Sequence, residues 1–375
     1  MTMVKRKVPF FNYPAVFAQH EADYMAILRG VLARGAYIMQ KDLQEFESHL
    51  ASYLGIKHAI GTADGTMALM LGLLAAGVGK GDEVILPSHT FVATAAAVHH
   101  VGAKPVLADC GADHLIDPDS VEALITGKTR VLMPVQLNGR TADMGRLTSI
   151  AESHGLQIVE DACQALGSRY KDKPAGTFGA AGAFSFYPSK TLGCFGDGGA
   201  LITNDDTVAE KVRLLRDHGR NYDGEVVCFG FNARLDNVQA AILDYKLKDY
   251  QEIVDRRRAI ARSYRERLED LKQLTLPPGP DDDPDHFDVY QNYEIEAGNR
   301  DGLKAFLAEH GVGTLIQWGG KAIHQFRALG FGGNLPFTDQ LFERMLMLPM
   351  NMSLTAEDVS YVCEVIKEFY RRSAN

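Results

Sequence analysis

Lys190 stands in FSFYPSKTLGCFGDGGA (residues 184–200) as the only charged side chain between Phe184 and Cys194. Aromatic, small and glycine residues surround it, and a lysine is seldom fully buried without a partner. Two readings follow. One is an exposed lysine beside a glycine-rich turn. The other is a partly desolvated amine able to form a Schiff base with a carbonyl. A second group lies in VEDACQA (159–165), where Glu160 and Asp161 end an apolar run. Ligands of open α/β sheets bind beyond the carboxyl ends of the strands. Asp161 in that place is either a helix N-cap or a buried carboxylate that needs a cation. A third is GTADGTMALMLGLL (61–74), a glycine-rich turn opening an Ala/Leu/Met-rich helix. Such a start lets a phosphate approach the backbone, where free N–H groups and the helix dipole favour it. Many βα turns look similar, and neither GxGxxG nor a Walker loop is present. Taken together, a phosphate cradle, a carboxylate for a ring nitrogen and a lysine for an aldehyde match pyridoxal 5′-phosphate and little else.

The elements that must position these groups are visible as short apolar runs bounded by Gly, Pro or Asp. EVILP (83–87), PVLAD (105–109), RVLMPVQ (130–136), QIVEDA (157–162), GAFSF (182–186) and GALITN (199–204) read as buried strands. Helical patterns such as TAAAVHHVG (94–102) and MGRLTSIAESHG (144–155) lie between the earlier ones. That alternation predicts a mostly parallel sheet covered on both faces. In 42–55, Leu43, Phe46, Leu50 and Leu54 share one helical face and Gly55 is the expected stop. A long charged helix is expected over 234–271, and LPPGPDDDPD (276–285) reads as a loop. We place a domain boundary near residue 250, giving a large unit over 1–250 and a small C-terminal α/β unit over 251–375. The small unit is read as a strand (VYQNYEIEA), a helix (DGLKAFLAEHG) and a last helix (AEDVSYVCEVIKEFY).

Composition bounds the function. The chain has 375 residues, 46% hydrophobic and 23% charged, which suits an ordinary globular protein with a sizeable core. The net charge of -9 and the lack of a basic patch argue against nucleic acid as the partner. No apolar run is long enough to suggest a signal peptide or a membrane span, so a cytoplasmic protein is expected. Five scattered cysteines without CxxC spacing read as reduced residues, with neither a disulfide framework nor a metal site.

From about residue 8 to the C-terminus the sequence resembles the DegT/DnrJ/EryC1/StrS family of pyridoxal-phosphate-dependent nucleotide-sugar aminotransferases. The motifs carrying the resemblance are Gly65-Thr66, PSHTF (87–91), EDACQ (160–164), SFYPSK (185–190), GDGG (196–199) and GFNAR (230–234). The resemblance implies fold type I, with a mostly parallel seven-stranded sheet in the large domain. It implies that Lys190 joins the cofactor aldehyde, Asp161 keeps the ring nitrogen protonated and Gln164 bonds the ring hydroxyl. Phe91 would stack on the ring, and Gly65, Thr66 and Ser185 would hold the phosphate. Asn232 would reach that phosphate from the neighbouring subunit of a homodimer. The implied donor is an amino acid, glutamate in the family, and the acceptor is a keto group on a nucleotide-linked hexose. Lys190 also separates the chain from related dehydratases, which carry histidine there.

Three departures fall where the sugar nucleotide should lie. A frequent H-x-Y-G segment is Gln136-Leu137-Asn138-Gly139, an I-H-Y-like run is Ile316-Gln317-Trp318, and a common glycine is Gln40. Trp318, the single tryptophan, either packs on a sugar or base or is structural. His324 and Arg234 are read as diphosphate contacts. Rival readings are another fold-type-I enzyme such as a lyase or a desulfurase, and a regulator that binds the cofactor without turnover. A desulfurase would need a mobile Cys194. A dinucleotide-dependent dehydrogenase lacks its fingerprint.

Overall fold

The computed structural model describes residues 5–373. Nine strands run through the first two-thirds of the chain. They are β1 (His58–Thr62), β2 (Glu83–Pro87), β3 (Lys104–Ala108), β4 (Thr129–Leu132), β5 (Gln157–Asp161), the two-residue β6 (Arg169–Tyr170) and β7 (Lys173–Pro174), β8 (Ala181–Ser185) and β9 (Gly199–Thr203). Seven of them form one sheet in the order β1-β9-β8-β5-β4-β2-β3. Only β9 runs against its neighbours, β1 and β8; the other pairings are parallel. The carboxyl ends of six strands therefore lie along one edge, and the start of β9 joins them there.

All six strands read from the sequence are present, each within a residue or two except 130–136, which is shortened. There the ladder ends at Leu132, and Val135 makes only an isolated bridge to Asp161. β1 was hidden in the sequence because HAIGT is brief and runs straight into the glycine-rich turn.

Both faces are covered, which is why the strands read as near-continuous apolar runs. Helices Gly65–Ala75, Val92–His100 and Asp206–Arg216 close one face around Leu69, Leu71, Val98, Val159 and Leu201. Helices Lys41–Leu54 and Asn237–Leu247 close the other around Phe46, Leu50, Phe184, Ile202 and Leu243. Lys41–Leu54 buries Leu43, Phe46, Leu50 and Leu54 as the spacing predicts, and it ends on Gly55 in the left-handed region at φ 64°.

The C-terminal part has its own sheet, β10 (Leu274–Thr275), β12 (Tyr293–Ala297) and β13 (Met345–Leu348), in the order β10-β12-β13. Helices Arg300–Glu309 and Ala356–Ser373 pack beside it. A short β11 (His286–Phe287) pairs with β6 of the larger part. The charged stretch 234–271 is two helices, Asn237–Leu247 and Tyr250–Leu268, rather than one. The second bridges two cores. Tyr250 and Val254 belong with Phe46 and Leu243, whereas Ile260, Tyr264 and Leu268 belong with Ile295, Leu346 and Val362. Val8 packs in that second core and bridges to Val312, so the stretch around it sits with the C-terminal residues, whereas the helix Glu21–Ala33 packs on Asn237–Leu247 of the large part.

Candidate active site

A cavity of about 590 Å³ opens at the carboxyl edge of the large sheet, a size suited to a cofactor with part of a substrate. Its lining brings together Gly65, Thr66, Phe91, Asp161, Gln164, Ser185, Lys190 and Trp318. These come from the ends of β1, β2, β5 and β8 and from one segment of the C-terminal part. Parallel strand register is what gathers them: Asp161 is paired with Ala183, so β5 and β8 end side by side.

Gly65 and Thr66 start the helix Gly65–Ala75. Asp64 caps it, its carboxylate accepting the Met67 N–H at 2.8 Å. The Gly65 and Thr66 N–H groups precede the first intrahelical bond and have no acceptor among the described residues. A Cβ on Gly65 would lie 2.8 Å from Cys163 Sγ and 2.9 Å from Ser185 Cβ. Glycine is thus required for the helix start to press against the ends of β5 and β8. Ser185 Oγ, beside it, accepts from the Tyr187 N–H at 3.3 Å.

Asp161 is only 6% exposed. Its carboxylate accepts from Thr94 Oγ1 at 2.7 Å and from the Cys163 N–H at 3.2 Å. Both donors are neutral, and among the described residues Asp161 is in no ion pair. Leaving a buried carboxylate without a cation is costly, so the site fits a ligand that brings one. The N-cap reading of Asp161 does not apply, because no helix follows β5 directly. Glu160 points elsewhere. It is fully buried and accepts from Gln136 Nε2 (2.8 Å) and from the Gly176 (2.7 Å) and Phe178 (2.6 Å) N–H groups.

Lys190 sits half-buried in the turn after β8, its N–H bonded to the Tyr187 carbonyl at 2.8 Å. It lines both this cavity and a neighbouring one of about 380 Å³. Burial pushes its ammonium below the usual lysine value, and the neighbouring Asp161 carboxylate opposes that push. An amine drawn toward its neutral form is what nucleophilic attack on a carbonyl needs. Burial also pushes the Cys163 thiol up, so it stays protonated.

Gln164 Oε1 accepts from the Asn138 N–H (2.9 Å) and from Asn292 Nδ2 (3.4 Å), which leaves its NH₂ without an acceptor among the described residues. Phe91 is half-exposed, with its ring 5.4 Å from that of Trp318. Trp318 Nε1 donates to His89 Nδ1 at 3.3 Å, and His89 Nε2 faces Glu294 at 3.3 Å.

Three predicted residues lie outside this cavity. His324 is 1% exposed and its two ring nitrogens already meet Ser88 Oγ (2.7 Å) and Asp339 (2.9 Å), as in a packed polar residue. Arg234 is bound to Asp217 at 2.8 Å. Asn232 is exposed and bridges to Asp217. Neither lines the cavity that holds Lys190. Cys194 is buried, donates to the Phe186 and Gly196 carbonyls, and has its thiol pushed up to about 11 by burial. Those features suit packing, not the mobile nucleophile of a desulfurase.

Sequence reasoning missed Thr94, Asp64 and Asn138. The signal for Asn138 was present, because it lies in one of the three departures from the family pattern, and two of these touch each other: Gln317 Nε2 donates to Asn138 Oδ1. Gln136, the first residue of one departure, is committed to Glu160.

The sequence matches the DegT/DnrJ/EryC1/StrS aminotransferase family over residues 18–367. The chain belongs to that family. It is 38% identical to dTDP-3-amino-3,4,6-trideoxy-alpha-D-glucose transaminase of Streptomyces venezuelae, over 98% of this chain and 97% of the relative. It is 40% identical to a pleiotropic regulatory protein of Geobacillus stearothermophilus, over 98% of this chain and all of the relative. Its fold superposes on the crystal structure of S. venezuelae DesV in complex with a ketimine intermediate with a TM-score of 0.93, at 38% identity, covering 97% of this chain and 98% of that one. The expected fold class therefore stands, and the chain is a pyridoxal-phosphate-dependent aminotransferase. Among the described residues, helix-start N–H groups without an acceptor, a buried carboxylate in no ion pair and a lysine amine in no hydrogen bond fit this cofactor.

Proposed function

We propose that this enzyme moves the amino group of an amino acid, L-glutamate, onto a keto group of a nucleotide-linked deoxyhexose. The observation that carries the reading is the convergence of Lys190, Asp161 and the Gly65 helix start on one cavity, in a chain whose relatives include a dTDP-sugar transaminase. When bound, the cofactor supplies an electron sink for a carbanion at the carbon next to nitrogen.

The rest falls to the chain. With the cofactor bound, the Gly65 and Thr66 N–H groups and Ser185 Oγ would anchor the phosphate. Asp161 would keep a proton on the ring nitrogen, with Thr94 holding the carboxylate in place. The Gln164 NH₂ would donate to the ring hydroxyl. Phe91 would pack on the ring face, and Trp318 would extend that wall toward the sugar nucleotide. Lys190 would be the amine that holds the aldehyde and the base that moves the proton at the donor α-carbon, work that its lowered basicity suits.

We further propose a homodimer in which Asn232 and Arg234 serve the partner's cavity. Their position outside the chain's own cavity supports this. So does the exposed apolar segment just before them, where Tyr222 is 92% and Phe229 100% exposed. A division near residue 250 fits the two separate cores, apart from the N-terminal segment. We place the enzyme in the cytoplasm, which its five free cysteines favour; no helix among the described residues is long and apolar enough to cross a membrane.

A regulatory role is the second reading, favoured by the name of the G. stearothermophilus relative. The two separate in one experiment. Holoenzyme is mixed with L-glutamate and 2-oxoglutarate is measured, followed by a panel of UDP-, dTDP- and GDP-linked keto sugars. Release of one equivalent of 2-oxoglutarate per site, then amination of one panel member, supports the transaminase. No 2-oxoglutarate from a fully loaded protein refutes it.

A further inference from the structure

Lys190 is gripped from both sides by a single side chain of the C-terminal part. Gln291 Oε1 accepts from the Thr191 N–H at 2.8 Å, and Gln291 Nε2 donates to the Ser189 carbonyl at 2.8 Å. These two groups belong to the peptide bonds immediately before and after Lys190. The carboxamide spans the lysine as a neighbouring strand would, holding an acceptor on one side and a donor on the other. Gln291 is buried, so water does not compete for either bond.

Gln291 is itself fixed. Arg257 Nη1 donates to the Tyr290 (2.9 Å) and Gln291 (3.1 Å) carbonyls from the helix Tyr250–Leu268. Gly139 lets the segment approach, since a Cβ there would stand 2.6 Å from Gln291 N and 2.7 Å from Tyr290 N. The next residue serves the other end of the site. Asn292 Nδ2 donates to Asn138 Oδ1 at 2.9 Å and reaches Gln164 Oε1 at 3.4 Å. One dipeptide thus holds the peptides of the reactive amine and the carboxamide aimed at the ring.

We propose that Gln291 is a positioning residue for transamination: it fixes where the Lys190 amine stands by clamping its two flanking peptides, while Asn292 orients Gln164. The proposal rests on Lys190 being the amine that joins the cofactor. The turn has other anchors that hold it to the protein, namely Cys194 N–H to the Phe186 carbonyl (2.8 Å), Lys246 Nζ to the Gly193 carbonyl (2.6 Å) and the Thr191–Tyr250 hydroxyl pair (2.7 Å). Loss of Gln291 therefore releases the Ser189 carbonyl and the Thr191 N–H without detaching the turn, in which the Lys190 N–H still bonds the Tyr187 carbonyl. Small misplacements of a reacting group cost rate steeply.

The test uses full-length Gln291→Met, of similar length with no hydrogen bonds, and Gln291→Glu. In holoenzyme, Gln291→Met is expected to lower kcat about 10–100-fold with the KM for the nucleotide sugar little changed. Gln291→Glu loses the donor to Ser189 when ionised and regains it when protonated, so its activity relative to wild type rises as pH falls. Amide exchange gives a readout independent of turnover. In cofactor-free wild type the Thr191 amide exchanges slowly; in Gln291→Met it exchanges fast while the Cys194 amide stays protected. Retention of wild-type kcat by Gln291→Met, a pH-independent ratio for Gln291→Glu, joint loss of Thr191 and Cys194 protection, or an unprotected Thr191 amide in wild type would each overturn the proposal. If borohydride fixes the cofactor to a lysine other than Lys190, it is the assignment of Lys190 that fails, and the exchange data still report on the clamp.

Discussion

Among the described residues the Asp161 carboxylate is in no ion pair and the Lys190 amine makes no hydrogen bond, and the two line one cavity. A cofactor with a basic ring nitrogen and an aldehyde would engage both. Replacing Asp161 with Asn keeps the Thr94 contact but removes the charge that holds the ring proton. Turnover is expected to fall at least ~100-fold, on the scale of losing an acid–base partner, with weaker cofactor retention on dialysis; steady-state kinetics and the residual visible absorbance check both. Lys190→Ala is expected to abolish turnover, a loss above ~1000-fold, while leaving melting of the cofactor-free protein close to wild type, since the side chain makes no hydrogen bond among the described residues. That Lys190, Asp161, Gly65, Thr66, Ser185, Gln164 and Phe91 line one cavity is what their strand-end positions and motif order lead one to expect. Gln291 was not legible in the sequence, because its partners Ser189 and Thr191 lie about a hundred residues earlier, and nothing local in VYQNYEIEA reveals them. The partners of His324, Ser88 and Asp339, were hidden for a related reason: tertiary packing sets them.

At the scale of elements, the site depends on how closely strand ends approach a helix start. Gly199 opens β9 against the cap of the helix Gly65–Ala75, and a Cβ there would fall 2.4 Å from the Asp64 carbonyl carbon. Gly199→Ala is expected to cost about 1–3 kcal/mol, read as a lower denaturation midpoint, and to weaken cofactor binding as well. β12 offers a pH test. Glu294 on that strand bonds His114 at 2.8 Å and Glu296 meets the same ring at 3.4 Å. Burial opposes the imidazolium, yet these carboxylates prevail and push His114 up to about 9. With the folded value above the unfolded one, its contribution is complete below about 6.5 and is lost as pH rises through about 9. Wild type should therefore lose stability relative to His114→Gln across that window; parallel curves would contradict the assignment. The strand read over 289–297 begins only at Tyr293, since Val289–Asn292 give their backbone groups to Gly139, Arg257 and Asn138, and Tyr290 adopts φ 50°. The single helix expected over 234–271 breaks at Lys248–Asp249, which no glycine or proline announces.

For the whole molecule, periodicity was enough to reveal a mostly parallel sheet covered on both faces, because apolar runs alternate with helices. It could not show that Val8 crosses to the C-terminal core, which is a long-range packing choice. A shared active site makes a prediction of its own. Lys190→Ala and Asn232→Ala chains, each inactive or nearly so alone, should regain turnover when co-refolded, because a mixed dimer contains one cavity with Lys190 and the partner subunit's Asn232 both intact. Recovery to a sizeable fraction of the wild-type rate per site supports the shared site, and a mixture no better than its parts argues that Asn232 acts within its own chain. The most direct measurement is borohydride reduction of the holoenzyme followed by peptide mass mapping. The cofactor should be fixed to the peptide containing Lys190. Fixation instead to Lys246, whose buried ammonium is also lowered, to about 8, or to no lysine at all, would contradict the account.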